Sequence, residues 1–105
     1  MTPDEHSRRC TAALKLVADF WVLRIVEELD AAGCGLRFTE LQRALGGASP
    51  ATLSNRLRLL EEHRVLDREG AAGRLSVVYT LSENGRRVLP ILRAIDEFAE
   101  VVTPA

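Results

Sequence analysis

No apolar run in the chain approaches the roughly 18–20 residues needed to cross a bilayer, so a membrane span is not expected. The opening Met1-Thr2-Pro3-Asp4-Glu5 is polar and acidic. It lacks the charged-then-apolar order of a signal peptide, and a cytoplasmic protein is expected. Cysteine is scarce, with only Cys10 and Cys34. Neither belongs to a CxxC pair, and His6 and His63 complete no zinc pattern, which argues against a structural metal. In a reducing compartment both thiols should be free. There is no phosphate loop and no convincing Ser/His/Asp or Cys/His set. The acidic pairs Glu27-Glu28 and Glu61-Glu62 look solvated. Catalysis is therefore not expected, and no cofactor is implied. Lysine is almost missing: of 14 basic residues only Lys15 is one. The cations are arginines, which bind phosphate and guanine through two parallel hydrogen bonds as lysine cannot.

What is present suits one domain over residues 1–105, with 47% hydrophobic residues to build a core. A domain of this size buries only roughly 60–70% of its unfolded surface, so a partner subunit would help it. The net charge of −1 argues mildly against a nucleic-acid partner. Its distribution does not. From Leu36 to Leu75 there are seven arginines against five acids, an excess of +2, with −2 before that stretch and −1 after it.

Apolar spacing predicts the elements. A first helix runs from about Pro3 to Val17, with Cys10, Ala13, Leu14 and Val17 on one stripe. Asp19 is a candidate N-cap for a second helix, where Trp21, Ile25 and Leu29 repeat and which Gly33 and Gly35 end. Leu36-Arg37-Phe38 is short and extended. Thr39 is the expected cap of a third helix that turns Phe38, Leu41 and Leu45 inward. Gly46-Gly47-Ala48 is a turn. Ser49 caps the next helix and Pro50 takes its first position, where a missing N–H costs nothing. That helix runs to about His63. Strands at Val65–Glu69 and Leu75–Leu81 flank a flexible tip, Gly70–Arg74. One last helix is expected from about Glu83 to Val102, with Val88, Leu89, Leu92, Ile95, Phe98, Ala99 and Val102 on its apolar face.

The fold class is thus mainly α with a small β-hairpin. A helix, a Gly-bearing turn and a capped second helix make a helix-turn-helix unit, and the hairpin over residues 65–81 is its wing. In this build the second helix, residues 50–63, enters the major groove. At 100° per residue, Leu53, Leu57 and Leu60 share one side of it. Ala51, Asn55, Arg58 and Glu62 lie opposite. Thr52, Arg56 and Leu59 form one flank, and Ser54 and Glu61 the other. Small, hydroxylated, amide and cationic side chains at the N-terminal half suit contact with base edges: asparagine pairs with adenine, arginine with guanine, and a threonine methyl touches thymine.

These segments together resemble the HxlR-type regulators, relatives of the MarR family. The resemblance runs from Cys10 to about Phe98. Its carriers are Cys10, the Trp21 helix with Leu23, Ile25 and Leu29, Arg37-Phe38-Thr39-Glu40-Leu41, Ser49-Pro50-Ala51-Thr52-Leu53-Ser54-Asn55-Arg56-Leu57, Val78-Tyr79-Thr80-Leu81-Ser82-Glu83-Asn84-Gly85 and Leu89-Pro90-Ile91-Leu92. The resemblance implies a winged helix-turn-helix homodimer joined by its N- and C-terminal helices. It implies binding to a pseudo-palindromic operator in double-stranded DNA and control of neighbouring genes. In some members the early cysteine, here Cys10, senses oxidants or electrophiles. A small-molecule effector between the dimer helices and the winged domain, as in MarR relatives, would be a further partner. The chain departs from the family pattern at three places. Asp19-Phe20 stands where Gly-Lys or a similar basic pair often precedes the tryptophan, His63-Arg64-Val65 lacks the usual glycine, and the wing is compact.

The candidate DNA contacts are Arg37, Ser49, Thr52, Asn55, Arg56, Arg58 and Arg74. Each has a plainer reading. Arg56 and Arg58 would otherwise be solvated or pair with Glu61 or Glu62. Thr52 and Asn55 are candidates for base edges. Ser49 is first a cap. Arg37 reaches a phosphate or pairs with Glu40, and Arg74 is either a phosphate or minor-groove contact or a solvated tip. Cys10 is either a small buried hydrophobe or a redox sensor aided by Arg8, Arg9 and His6. Cys34 is a resolving thiol or a tolerated loop cysteine. The functional alternative is a winged-helix protein-interaction module without sequence-specific DNA binding, which would carry a broad apolar patch where a DNA reader carries its arginines.

Overall fold

The computed structural model describes residues 1–70 and 77–104. Helix α1 (Pro3–Val17) starts on a capping box. The Thr2 hydroxyl accepts the Glu5 N–H at 3.2 Å, and the Glu5 carboxylate accepts the Thr2 N–H at 3.3 Å. Asp19 caps α2 (Phe20–Ala32) as expected, accepting the Val22 N–H at 2.9 Å. Gly33, at φ 67, ends that helix in the left-handed region that glycine adopts freely.

Helix α3 (Phe38–Leu45) corrects one expectation, because its cap position is Arg37 and not Thr39. The cause is Glu40, whose carboxylate accepts the Arg37 N–H at 2.9 Å. An arginine side chain cannot accept in return, so this is half of a capping box. Leu36, just before it, is fixed in extended form by two backbone bonds with Tyr79, at 3.0 and 2.8 Å. Helix α4 (Pro50–Glu62) begins as its sequence demands, with the Ser49 hydroxyl accepting the Thr52 N–H at 3.1 Å.

Beyond α4 the chain turns through a Schellman motif. The Val65 N–H reaches the Leu60 carbonyl at 2.8 Å and the Arg64 N–H reaches that of Glu61 at 3.0 Å. Leu60 and Val65 are both buried, completing the apolar contact of the motif. The left-handed position is Arg64, at φ 59. The family resemblance implies a glycine in this turn, and Arg64 instead places a Cβ where the backbone disfavours one.

Strands β1 (Leu66–Glu69) and β2 (Val78–Leu81) pair antiparallel, with Leu66 opposite Leu81 and Arg68 opposite Tyr79. Both are shorter than expected, since Val65 and Val77 stand outside the pairing. Residues 71–76 carry most of the expected wing tip, including Arg74 and the start of the second strand, and lie outside the described residues.

The expected single helix from Glu83 to Val102 is two helices, α5 (Glu83–Arg86) and α6 (Leu89–Val102). Pro90 is the reason. It has no N–H for the Arg86 carbonyl, and its ring would strike that carbonyl in a continuous helix. In the first turn of α6 it is harmless. Gly85 of α5 packs so closely that a Cβ there would meet the Val65 carbonyl.

The core gathers Val22, Ile25 and Val26 of α2, Leu41 of α3 and Leu53, Leu57 and Leu60 of α4. Among the described residues no polar or charged residue is buried. Helix α1 buries nothing fully and α6 buries only Leu92, so the apolar stripes of these two helices are mostly uncovered in the protomer. No helix of the described residues is long and apolar enough to cross a membrane.

One prediction concerns the left-handed turn. Arg64→Gly relieves a strain of about 1–2 kcal/mol and costs about 0.4–1 kcal/mol in unfolded-chain entropy. Thermal denaturation should show a net gain of about 0.5–1 kcal/mol. An unchanged or lower melting temperature would show that the Arg64 side chain contributes as much as its backbone costs.

Candidate nucleic-acid interface

Helix α4 divides cleanly. Leu53, Leu57 and Leu60 are at most 2% exposed and tie it to the core. On the other side Ala51, Ser54, Asn55 and Arg58 are exposed, and Glu61 and Glu62 follow only at the C-terminal end. The flank of Thr52, Arg56 and Leu59 is half-buried. Ser49 and Thr52 form a local knot: the Ser49 hydroxyl donates to the Thr52 hydroxyl at 2.9 Å while accepting its N–H.

The arginines separate into two sets. Arg58 is exposed beside Asn55. Arg56 turns back, its Nε donating to Asp19 Oδ2 at 3.0 Å across 37 residues of sequence. The expected partners Glu61 and Glu62 are not the ones it meets. Arg37 is exposed at the start of α3, and it is its backbone N–H, not its guanidinium, that meets Glu40.

Sequence reasoning missed Arg68. Strand pairing sets it opposite Tyr79, and Tyr79 on its other edge holds Leu36. The result brings Arg37 and Arg68 to one cleft of about 470 Å³, shared with Pro50 and Ser54 of α4 and with the rings of Phe38 and Tyr79. The signal in the sequence was the alternation of Leu66-Asp67-Arg68, but only the hairpin register shows what Arg68 faces. Two guanidiniums beside the N-terminal half of a capped helix make a surface that attracts phosphate.

A sequence profile of the HxlR-like helix-turn-helix family matches residues 16–105. The chain belongs to that family. It is 31% identical over 100 residues to YvaP, an uncharacterised HTH-type transcriptional regulator of Bacillus subtilis (strain 168), across 94% of this chain and 91% of the relative. Its fold resembles a MarR-family transcriptional regulator from Enterococcus faecalis V583, with 29% identity, a TM-score of 0.76, and 96% and 89% of the two chains covered. It also resembles the reduced form of the regulator YodB from B. subtilis, at 24% identity and a TM-score of 0.76, over 98% and 95% of the chains. The diamide-treated form of YodB matches at 24% identity and a TM-score of 0.72, over 100% and 98%. The protein is thus a transcriptional regulator of the HxlR and MarR type, with the winged helix-turn-helix fold of its relatives.

Two features of this HxlR-type chain lie away from α4. Cys10 is exposed in the protomer, so the apolar stripe of α1 does not bury it. Its Sγ lies 3.5 Å from Nε2 of His6, one helical turn back. Cys34 is exposed as well. The second feature is apolar surface. Leu14 of α1 is 61% exposed, Phe98 of α6 is 64% exposed, and Ile91, Ile95 and Val102 of α6 are exposed beside it in sequence.

Proposed function

We propose that the protein binds a pseudo-palindromic operator in double-stranded DNA as a homodimer, in the cytoplasm, and acts as a regulator rather than an enzyme. The observation that carries this reading is the outward side of α4, where Ala51, Ser54, Asn55 and Arg58 stand free while three leucines hold the opposite side. Asn55 and Arg58 are the proposed base readers, with Thr52 beside them. Arg37 and Ser49 are proposed phosphate contacts, joined by Arg68 from the wing and by Arg74, which lies outside the described residues. The rival reading, a protein-docking module, is disfavoured by the placement of the apolar surface. Among the described residues the large exposed apolar side chains lie at Met1, on α1, at the start of α2 and on α6, not on the outward side of α4. A second copy of the chain is the proposed cover for the α1 and α6 faces.

A second, smaller proposal concerns regulation. The exposed Cys10 thiol, the neighbouring His6 and the nearby Arg8 and Arg9 support a redox-responsive α1. The structures of YodB in reduced and diamide-treated forms show that thiol oxidation has been a question for a protein of this fold. A small-molecule effector, with its site between the dimer helices and the winged domain, is the alternative input.

Selection from random DNA should enrich a two-fold site with half-sites about 34 Å apart, one duplex turn. On that site Asn55→Ala and Arg58→Ala should each weaken binding by about 1–3 kcal/mol and relax sequence preference. Parent-like binding by both variants would remove α4 as the reading helix. Phe98→Glu places a charge in the proposed dimer face, so sedimentation should shift from dimer to monomer while the isolated fold melts normally. A dimer that survives this change would move the interface elsewhere. Diamide should lower operator affinity by about tenfold or more in the parent, reversibly with dithiothreitol, and leave Cys10→Ser unaffected. An equal response in both proteins would exclude Cys10 as the sensor.

A further inference from the structure

The Asp19–Arg56 pair is, among the described residues, the ion pair that joins two separate elements. The others link Arg24 to Glu27 and Glu28 within α2. Asp19 stands at the junction of α1 and α2, and both its oxygens are committed. Oδ1 accepts the Val22 N–H at 2.9 Å, which fixes the carboxylate with respect to the axis of α2. Oδ2 accepts the Arg56 Nε–H at 3.0 Å, which fixes a point on α4.

The apolar anchors cannot do this alone. Leu53, Leu57 and Leu60 decide which side of α4 faces inward, but apolar burial has no direction and tolerates small rolls and slides of a helix. A hydrogen bond weakens steeply with angle and so resists them. Both partners are only partly exposed, with 32% of the Arg56 side chain and 25% of the Asp19 side chain accessible, which limits screening by water and salt. Arg56 follows Asn55 directly and precedes Arg58 by two residues. Its tether therefore governs where those two side chains point.

We infer that Asp19 is a positioning residue for the DNA-reading surface, holding the roll of α4 through Arg56 and thereby placing Asn55 and Arg58. The inference rests on the proposed reading of α4 as the DNA-facing helix. It gives Arg56 a different role from Arg58: Arg56 orients the helix and Arg58 meets the duplex.

Asp19→Asn is the decisive variant, because asparagine caps a helix as well as aspartate does but offers Arg56 no charge. On the DNA site selected by the parent, Asp19→Asn should weaken specific binding by about fivefold. Affinity for non-specific DNA should be no lower than the parent's, and the salt slope should not change, because no phosphate contact is lost. Arg56→Gln should give the same loss, and the double variant should lose no more than either single one, as expected of one shared interaction. Thermal melting close to the parent's separates this effect from unfolding. If Asp19→Asn were poorly folded, Arg56→Gln would carry the same comparison from the other side of the pair. Parent-like or tighter binding by Asp19→Asn, with a flatter salt slope in Arg56→Gln, would make Arg56 a direct phosphate contact and overturn the inference. Additive losses in the double variant would overturn it too. A parent protein that selects no DNA site would instead fail the reading of α4 itself and take the inference down with it.

Discussion

Leu53, Leu57 and Leu60 of α4 pack into the same apolar cluster as Val22, Ile25 and Val26 of α2, and the rest of the proposed DNA face depends on that anchoring. The spacing of the three leucines puts them on one side of the helix. The residues between them then have no choice of direction. Ala51, Ser54, Asn55 and Arg58 face outward because the leucines face inward. The same cluster holds Val65 and Leu66, so the wing leaves α4 at a fixed place. Ser82 fastens its return: its N–H donates to the Val65 carbonyl at 3.0 Å, and its hydroxyl accepts the Gly85 N–H at 2.9 Å and donates to the Arg64 carbonyl at 2.6 Å. Helix, turn and hairpin are thus one unit built around a dry core.

Where local chemistry decides, the sequence was a good guide. Asp19 and Ser49 cap the helices they were expected to cap, and Pro50 opens α4. The split of α4 into an apolar side and a polar side followed from periodicity alone. Two misreadings were local as well, and both had visible causes. Glu40 competes for the Arg37 N–H and moves the start of α3, and Pro90 divides the last helix. What stayed hidden was long-range. The tie from Arg56 to Asp19 spans 37 residues, and nothing in the periodicity of either helix announces it. Arg68 joined the candidate surface only through strand register. The sequence shows that His63-Arg64-Val65 lacks the family's glycine, but only the left-handed backbone shows that Arg64 is the residue in the glycine position of a Schellman turn.

The stripes on α1 and α6 carry a different lesson. Helical periodicity says that one face is apolar, and it says nothing of what covers that face. Cys10, Leu14, Ile95 and Phe98 lie on the apolar stripes of α1 and α6, and in the protomer all four are exposed. Val22, Ile25 and Leu29 obey the same rule and are buried. The difference is position in the chain. Helix α2 lies between α3, α4 and the hairpin, while α1 and α6 are terminal and have fewer neighbours. Exposed aromatic and aliphatic side chains of this size, gathered on terminal helices, mark an association surface. In the proposed homodimer, a thiol on such a helix is placed where a change in its chemistry would alter packing between subunits rather than the core.

The net charge of −1 first counted against a nucleic-acid partner, and the structure shows why that objection is weak. Charges on a surface are screened over about 8 Å at physiological ionic strength, so a duplex senses the charges near its contact and not the sum over the chain. Arg37 and Arg68 share one cleft with the start of α4, and Arg58 stands on its outward side. Glu40, Asp67 and Glu69 lie near these arginines in sequence, but most of the chain's acids lie elsewhere. Asp4 and Glu5 open α1, and Asp96, Glu97 and Glu100 sit on α6. Within α4 the acids Glu61 and Glu62 come last, at the end away from the cleft. Asp19, the acid nearest to the flank of α4, is occupied with Arg56 and with the cap of α2. On the proposed reading, an acid at that position takes nothing from the DNA-facing surface, because the cation it holds orients the helix instead of meeting the duplex.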